Sequence, residues 1–407
     1  MKSFRVLLLA ASIATVAAAI GAAQSAAPAA PALGQPGSLI ETYGVIDVGV
    51  RASSHESAPS GETYIGASQG LFNGSRVGFR GTDQLMDGVK GVYTLELGVI
   101  EPYGVLDQQA QIFGRQAWVG LNTDYGQLAI GRQYGSLIDA VAIGDVFGNG
   151  NMGYVSGGSP GSPDSVNTFW QALTGYRWDN SVKYSANFSG ITVGAMAMFG
   201  NVVGNILSNS MVSASVGYKG KDLPVSGAVA FQYENDPNQN YHAAVGTGVK
   251  FAIDATDGVY AFYIHSVYET GFARGTATNS EYGTPLLNRI DDAASLSANY
   301  YVMPSLNVIA AYYFDYAQNV VAVGDTGMRN SGLLAADYYF SKSFDMYLAG
   351  WYSLFSGGFL NSKNGGLTSI LDSGATGAYP LASANIVAAG NNFADSLSVM
   401  VGARFRF

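Results

Sequence analysis

From Leu39 onward the apolar residues of this chain recur at every second position, and that period limits what the chain can fold into. The last run is the clearest. Leu397, Val399, Val401, Ala403, Phe405 and Phe407 fall on one face, with Ser398, Gly402, Arg404 and Arg406 on the other. Side chains alternate between the two faces of a strand, so such a run is a strand with one apolar face. Earlier runs read the same way. Tyr43, Val45, Asp47, Gly49 and Arg51 oppose Gly44, Ile46, Val48 and Val50. Arg76, Gly78 and Arg80 oppose Val77 and Phe79, and Thr94, Glu96 and Gly98 oppose Tyr93, Leu95, Leu97 and Val99. Asn307, Tyr313 and Asp315 oppose Val308, Ala310, Tyr312 and Phe314.

About sixteen such runs follow one another, separated by alternating short turns and long Gly/Asn/Ser loops, as in transmembrane barrels. A soluble sandwich also buries one face of every strand. It gives no reason for small or charged residues opposite, nor for the tyrosine pairs Tyr300–Tyr301, Tyr312–Tyr313 and Tyr338–Tyr339. A lipid–water boundary does, because the tyrosine ring is apolar and its hydroxyl needs a wet partner. In lipid the sheet must close on itself, since an open edge leaves backbone groups unpaired. The sequence therefore predicts an all-β, antiparallel transmembrane β-barrel over 39–407.

The N-terminus supports export. Lys2 and Arg5 precede an apolar run from Val6 to Ala23, followed by small residues, which reads as a signal peptide cleaved after Ala23 or Ala26. Residues 24–38 read as a flexible Ala/Pro/Gly segment. No later run holds 18 uninterrupted apolar residues, so no transmembrane helix is expected. Removing Lys2 and Arg5 from 20 basic residues leaves 18 against 29 acidic ones, a formal charge of −11. That balance argues against a nucleic-acid partner. There is no cysteine, and His55, His242 and His265 are too scattered for ligand spacing, so neither a metal nor a cofactor is expected.

The stretch Phe113–Lys183 carries the functional reading. Two short amphipathic runs, Phe113–Leu121 and Gly126–Gln133, lead into a long Gly/Ser/Pro-rich passage whose only charges before Arg177 are Asp139, Asp145 and Asp164. A long loop in a compact β protein is usually functional. This one is expected to fold into the barrel and narrow it, its carboxylates bracketed by arginines from the strands. Charge at a constriction is how a wide pore sets selectivity. Arg132 shares parity with the apolar Leu128 and Ile130. An arginine facing lipid costs about 2–4 kcal/mol at the midplane, so Arg132 belongs near the rim or under another subunit.

Two motif matches are accidental on this reading. Gly148–Gly153 fits a dinucleotide-binding pattern and Gly157–Gly161 a nucleophile elbow at Ser159, but neither is followed by a helix-forming sequence. His265 and Ser266 are adjacent on a strand and point to opposite faces, so they cannot cooperate in hydrolysis. No catalytic residue is expected.

In order and spacing, Thr42–Gly49, Ser75–Leu85, Phe113–Leu121, Gly126–Ala140, Asp145–Gly148, Asn180–Gly190 and the closing Val401–Phe407 resemble the trimeric general porins of Gram-negative outer membranes. The resemblance covers the whole mature chain. It implies a homotrimer of 16-stranded barrels in the outer-membrane lipid. Each barrel would have an inward-folded third loop and pass small hydrophilic solutes and ions. A substrate-selective channel is the alternative; a barrel enzyme is the alternative from another class. The resemblance places Arg76, Arg80, Arg115 and Arg177 on the basic side of the constriction, and Asp145 with Asp139 on the acidic side. It gives Arg132 a trimer-interface role, paired with Asp107 or Glu101 of a neighbour. It makes Phe407 the outer-membrane assembly signal.

Overall fold

The computed structural model describes residues 39–57, 62–148, 173–220, 223–269, 288–319, 326–357 and 395–407. The signal peptide, the segment 24–38, Asp164 and Ser159 lie outside the described residues, as does nearly all of both motif matches. The described strands run in order as β1 (Leu39–Ser57), β2 (Glu62–Gln69), β3 (Arg76–Met86), β4 (Val89–Ile100), β5 (Val105–Leu106) and β6 (Gln116–Thr123). Next come β7 (Gly126–Tyr134), β8 (Arg177–Phe188), β9 (Ile191–Met198), β10 (Met211–Tyr218), β11 (Val225–Asn235) and β12 (Tyr241–Ala252). The series ends with β13 (Gly258–Tyr268), β14 (Arg289–Met303), β15 (Leu306–Gln318), β16 (Thr326–Tyr339), β17 (Phe344–Gly357) and β18 (Asp395–Arg406).

All their pairings are antiparallel, and β1 pairs with β18 from Val45↔Arg406 to Ser53↔Ser398, which closes the sheet. The first part of β1 pairs with β3 and the last part with β2, so β2 and β3 are one barrel strand interrupted at Gly70–Ser75. The two-residue β5 only extends a loop from the end of β4. Merging β2 with β3 and setting β5 aside leaves sixteen barrel strands of the eighteen. Short turns such as Asp87–Gly88, with Gly88 at φ +74°, join successive strands at one end of the barrel. Phe407 extends the closure: Gly44 N donates to Phe407 O at 2.9 Å and Phe407 N to Gly44 O at 3.2 Å.

The alternation maps onto the wall as predicted. Leu397, Val399, Val401 and Phe405 are 45–52% exposed on the outside, whereas Ser396, Ser398 and Met400 are fully buried inside. The inner face departs from expectation in one sector. Phe262, Ile264, Ile309, Leu333, Trp351 and Met400 point inward and form an apolar core with Leu71, Phe72, Leu137, Ile138 and Val141. Chain folded inside the barrel brings apolar side chains of its own, and the wall supplies their partners. Tyr313 belongs to this interior and is 4% exposed; only Tyr312 of that pair faces outward, its hydroxyl donating to Asn330 at 2.6 Å.

Candidate pore constriction

After β7 the chain turns at Gly135 into a short helix, Ser136–Ala142, with Leu137, Ile138, Ala140 and Val141 buried. The wall beneath it is glycine. A Cβ at Gly248 would meet Ala140 O at 2.4 Å, and one at Gly246 would meet the Val141 side chain at 2.7 Å. The inner face of β12 thus admits the helix at contact distance. The next turn reaches further round the barrel. Val146 N donates to Ser297 Oγ on β14 at 3.3 Å, and the Tyr313 hydroxyl on β15 donates to Asp145 Oδ1 at 3.0 Å. Asp145 is 2% exposed.

The arginines gather on the other side. Arg115 Nε donates to Glu96 Oε1 at 2.8 Å, and its Nη2 to the Tyr134 hydroxyl at 3.2 Å. Arg177 Nη2 donates to the same hydroxyl at 3.0 Å, its guanidinium lying 4.8 Å from the Tyr134 ring centroid and 4.2 Å from that of Tyr176. Glu96 Oε2 accepts from the Tyr43 hydroxyl at 2.8 Å. Arg76 donates from Nε to Gly74 O at 2.9 Å and lies within electrostatic reach of Arg115, Glu96 and Tyr134. Arg115 and Arg76 therefore share Glu96, and Arg177 joins Arg115 at the Tyr134 hydroxyl. Counted round the ring from β1, Arg115 leads into the fourth barrel strand and Ser297 sits on the twelfth, halfway round sixteen. The turn at Asp145–Val146 and the arginine cluster occupy opposite walls.

Arg80 and Asp139 sit elsewhere. Arg80 pairs with Glu41 at 2.6 Å, with both side chains more than half exposed near the turn end of the wall. Asp139 bonds the ammonium of Lys183, which also donates to Tyr134 O at 2.9 Å, so this acid lies on the arginine side and is matched by a cation there. Sequence reading placed Glu96 on the inner face without giving it a role. Its shared parity with Thr94 and Gly98, in line with Arg76 across the hairpin, was the available signal.

A family model described as Gram-negative porin matches residues 10–358. The chain belongs to the Gram-negative porin family. It is 27% identical over 275 residues to an outer membrane porin protein of Bordetella pertussis, a match covering 60% of this chain; the chain spans 65% of the length of that curated relative. Among solved structures, the fold is similar to that of an anion-selective porin from Comamonas acidovorans (TM-score 0.68, 17% identity, 91% of this chain and 100% of that one). It is also similar to the trimer form of OmpT of Vibrio cholerae (TM-score 0.57, 14% identity, 91% of this chain and 100% of that one). The porin is an outer-membrane β-barrel crossing the bilayer many times, and family and fold point to a channel rather than an enzyme.

Arg132 and Asp107 of this porin both find partners in their own chain. Arg132 Nη1 donates to Asp179 Oδ1 at 2.8 Å and its Nε to Gly114 O at 2.6 Å. Asp107 Oδ1 accepts from Gln108 N at 2.7 Å. A bulge makes the Arg132 pair available: the β7–β8 register steps from Gly131↔Ser181 to Gln133↔Trp178, and Asn180 takes φ +49°. Asp179 is thereby turned outward although it shares parity with Arg177.

One further constellation has the look of chemistry. His242 Nδ1 is 3.1 Å from Glu234 Oε2 and its Nε2 is 2.8 Å from Ser266 Oγ. The partner of Ser266 is thus His242, across the β12–β13 pairing, and not its neighbour His265. Ser266 and His242 are fully buried, and the imidazole is stacked on Tyr268 with centroids 4.1 Å apart. A nucleophile needs a reacting carbon within about 3–3.5 Å, and this serine has no exposed surface to offer one.

Proposed function

We propose that this porin is a general diffusion pore, passing small hydrophilic solutes and ions through a water-filled lumen with a charged constriction, without cofactor or chemistry. The observation that carries the reading is the cluster of Arg76, Arg115 and Arg177 around Tyr134, with the Glu96 carboxylate paired to Arg115. Opposite it, Asp145 is buried under the Tyr313 hydroxyl, and on the near side Asp139 is matched by Lys183. The field in the bore is then positive, and anions are favoured over cations of similar size. The formal net charge of the chain is negative, so the preference is set locally rather than by net charge.

The pore is proposed to work as a homotrimer. A transmembrane strand needs about 9–11 residues. β6, β9 and β10 have 8 each, whereas β14 to β17 have 13 to 15. A low wall suits contact with another subunit better than contact with lipid, and the Vibrio cholerae protein of similar fold has a trimer form. Arg132 and Asp107, at the loop ends of that low wall, are proposed to border the interface. Phe407 is proposed as the assembly signal.

Liposome swelling separates general from selective diffusion. A general pore admits neutral sugars and amino acids at rates that fall smoothly with size. A rate that saturates for one solute and is near zero for others of equal size overturns the general reading.

A further inference from the structure

β2 ends at Gln69 and β3 begins at Arg76, and the residues between them leave the wall. They fold inward: Leu71 is fully buried and Phe72 is 3% exposed. Groups from three strands hold the backbone there. Asp47 Oδ2, on β1, accepts from Phe72 N at 3.1 Å and from Asn73 N at 2.8 Å. The Tyr347 hydroxyl, on β17, accepts from Leu71 N at 2.8 Å and donates to Asp47 Oδ1 at 2.8 Å. Arg404 Nη1, on β18, donates to Asn73 Oδ1 at 2.8 Å. A Cβ at Gly70 would meet Asp47 Oδ1 at 1.8 Å, so this clamp requires glycine at the point of departure.

The Phe72 ring has wall partners on one side, Tyr347 at 4.3 Å between centroids and the Arg404 guanidinium at 4.9 Å from its own centroid. It also stacks on Phe147 at 5.3 Å and 19°. Phe147 lies two residues beyond Asp145, in the turn that follows the short helix. An aromatic contact inside the barrel therefore joins two inward segments, one held by β1, β17 and β18 and the other by β14 and β15. Their shared apolar core packs against the inner wall along that arc. An apolar constriction excludes water, so the water path is left to the arc from β3 to β8, where the arginines are.

We propose that Gly70–Ser75 is a second constriction element of this pore, and that Phe72, stacked on Phe147, determines pore width and steers permeating ions past Arg76, Arg115 and Arg177. The inference rests on the reading of the lumen as a conducting path. The described stretch 136–148 is held by this stacked pair at one end and against Gly246 and Gly248 at the other. Without the pair, the turn at Asp145–Phe147 loses its contact with Gly70–Ser75, and a second route opens beside the apolar arc.

The test is single-channel recording and reversal potential in a salt gradient for wild type, Phe72→Ala, Phe147→Ala and the double variant. Phe79→Ala, on the outer face of β3, serves as control. Phe72→Ala and Phe147→Ala are each expected to raise conductance and lower anion preference, and the double variant to add little to either, because both remove the same contact. Phe72→Leu, which keeps apolar bulk and loses stacking, should shift both readouts in the same direction by less, and supplies the answer if the alanine variant fails to assemble. Assembled Phe72 and Phe147 variants that match wild type in both readouts overturn the inference and leave the pore reading standing. A wild-type chain that does not conduct overturns the pore reading, and this inference with it.

Discussion

Arg115 Nε donates to Glu96 Oε1 at 2.8 Å, and each side chain is only 3% exposed. Losing one partner of such a pair leaves a buried charge uncompensated, at a cost of about 3–5 kcal/mol. Glu96→Gln keeps an acceptor for Arg115 and removes the charge. The variant is expected to show increased anion preference, because the negative charge that offsets Arg115 and Arg76 is gone, and to unfold at lower temperature on a heat-modifiability gel. An unchanged reversal potential would place the Arg115–Glu96 pair away from the permeation path.

The Arg132 contacts are unequal, and two variants separate them. Asp179 is 49% exposed, so its ion pair contributes about 0–1 kcal/mol. The bond from Arg132 Nε to Gly114 O is charge-assisted and holds the segment leading into Arg115, contributing about 1.5–3 kcal/mol. Arg132→Ala is therefore expected to destabilise the barrel more than Asp179→Asn. Trimer dissociation and barrel unfolding are scored separately by gel mobility against temperature. A fall in trimer dissociation alone supports the interface role proposed for Arg132; a fall in barrel unfolding alone confines it to its own chain.

The barrel was legible because lipid outside and water or packed chain inside impose opposite demands on alternate residues, and Leu397 to Phe407 carry that contrast undiluted. The inner anatomy was less so. Parity placed Arg177 and Asp179 on one face, but the bulge at Trp178–Asn180 turns Asp179 out to Arg132, and no residue there announces a bulge. Trp351 and Met400 sat on the polar side of their strands and marked an interior packed against folded-in chain. The inward turn at Leu71–Phe72 looked like the end of a loop, since the clamp that makes it an element comes from Asp47, Tyr347 and Arg404, remote in sequence. Asp145 was legible as a loop acid, but its burial beneath Tyr313 was not, because that tyrosine read as a boundary residue.

Glu101, in the turn after β4, gives the outer loop a pH dependence. Burial pushes its carboxyl up to about 8, with Asp47 and Asp107 nearby adding repulsion. A folded-state value raised above the unfolded one means stability that is full below the ordinary carboxylate range and is lost as pH rises through about 8. Protease protection of the loop is expected to weaken from about pH 5 to about pH 8 in wild type, and Glu101→Gln to flatten that change. An equally steep change in the glutamine variant would assign it to another group.

The buried Ser266–His242–Glu234 relay is expected to hold structure rather than perform hydrolysis. Ser266→Ala leaves a buried imidazole short of a partner, at a cost of about 1–3 kcal/mol. It should lower the unfolding temperature while leaving conductance near wild type. Stoichiometric labelling of Ser266 in the folded porin by a fluorophosphonate would contradict this and reopen the enzymatic reading.

The most direct test of the arginine cluster is the reversal potential of the assembled porin in a potassium chloride gradient, wild type against Arg177→Gln. The wild-type potential is predicted to carry the sign of chloride preference. Arg177→Gln, which removes one positive charge stacked over Tyr134 and Tyr176 and leaves the Arg115–Glu96 pair in place, is predicted to move it toward zero. A wild-type potential with the sign of potassium preference, or an Arg177→Gln channel indistinguishable from wild type, would contradict the claim that this cluster sets the field through which solutes pass.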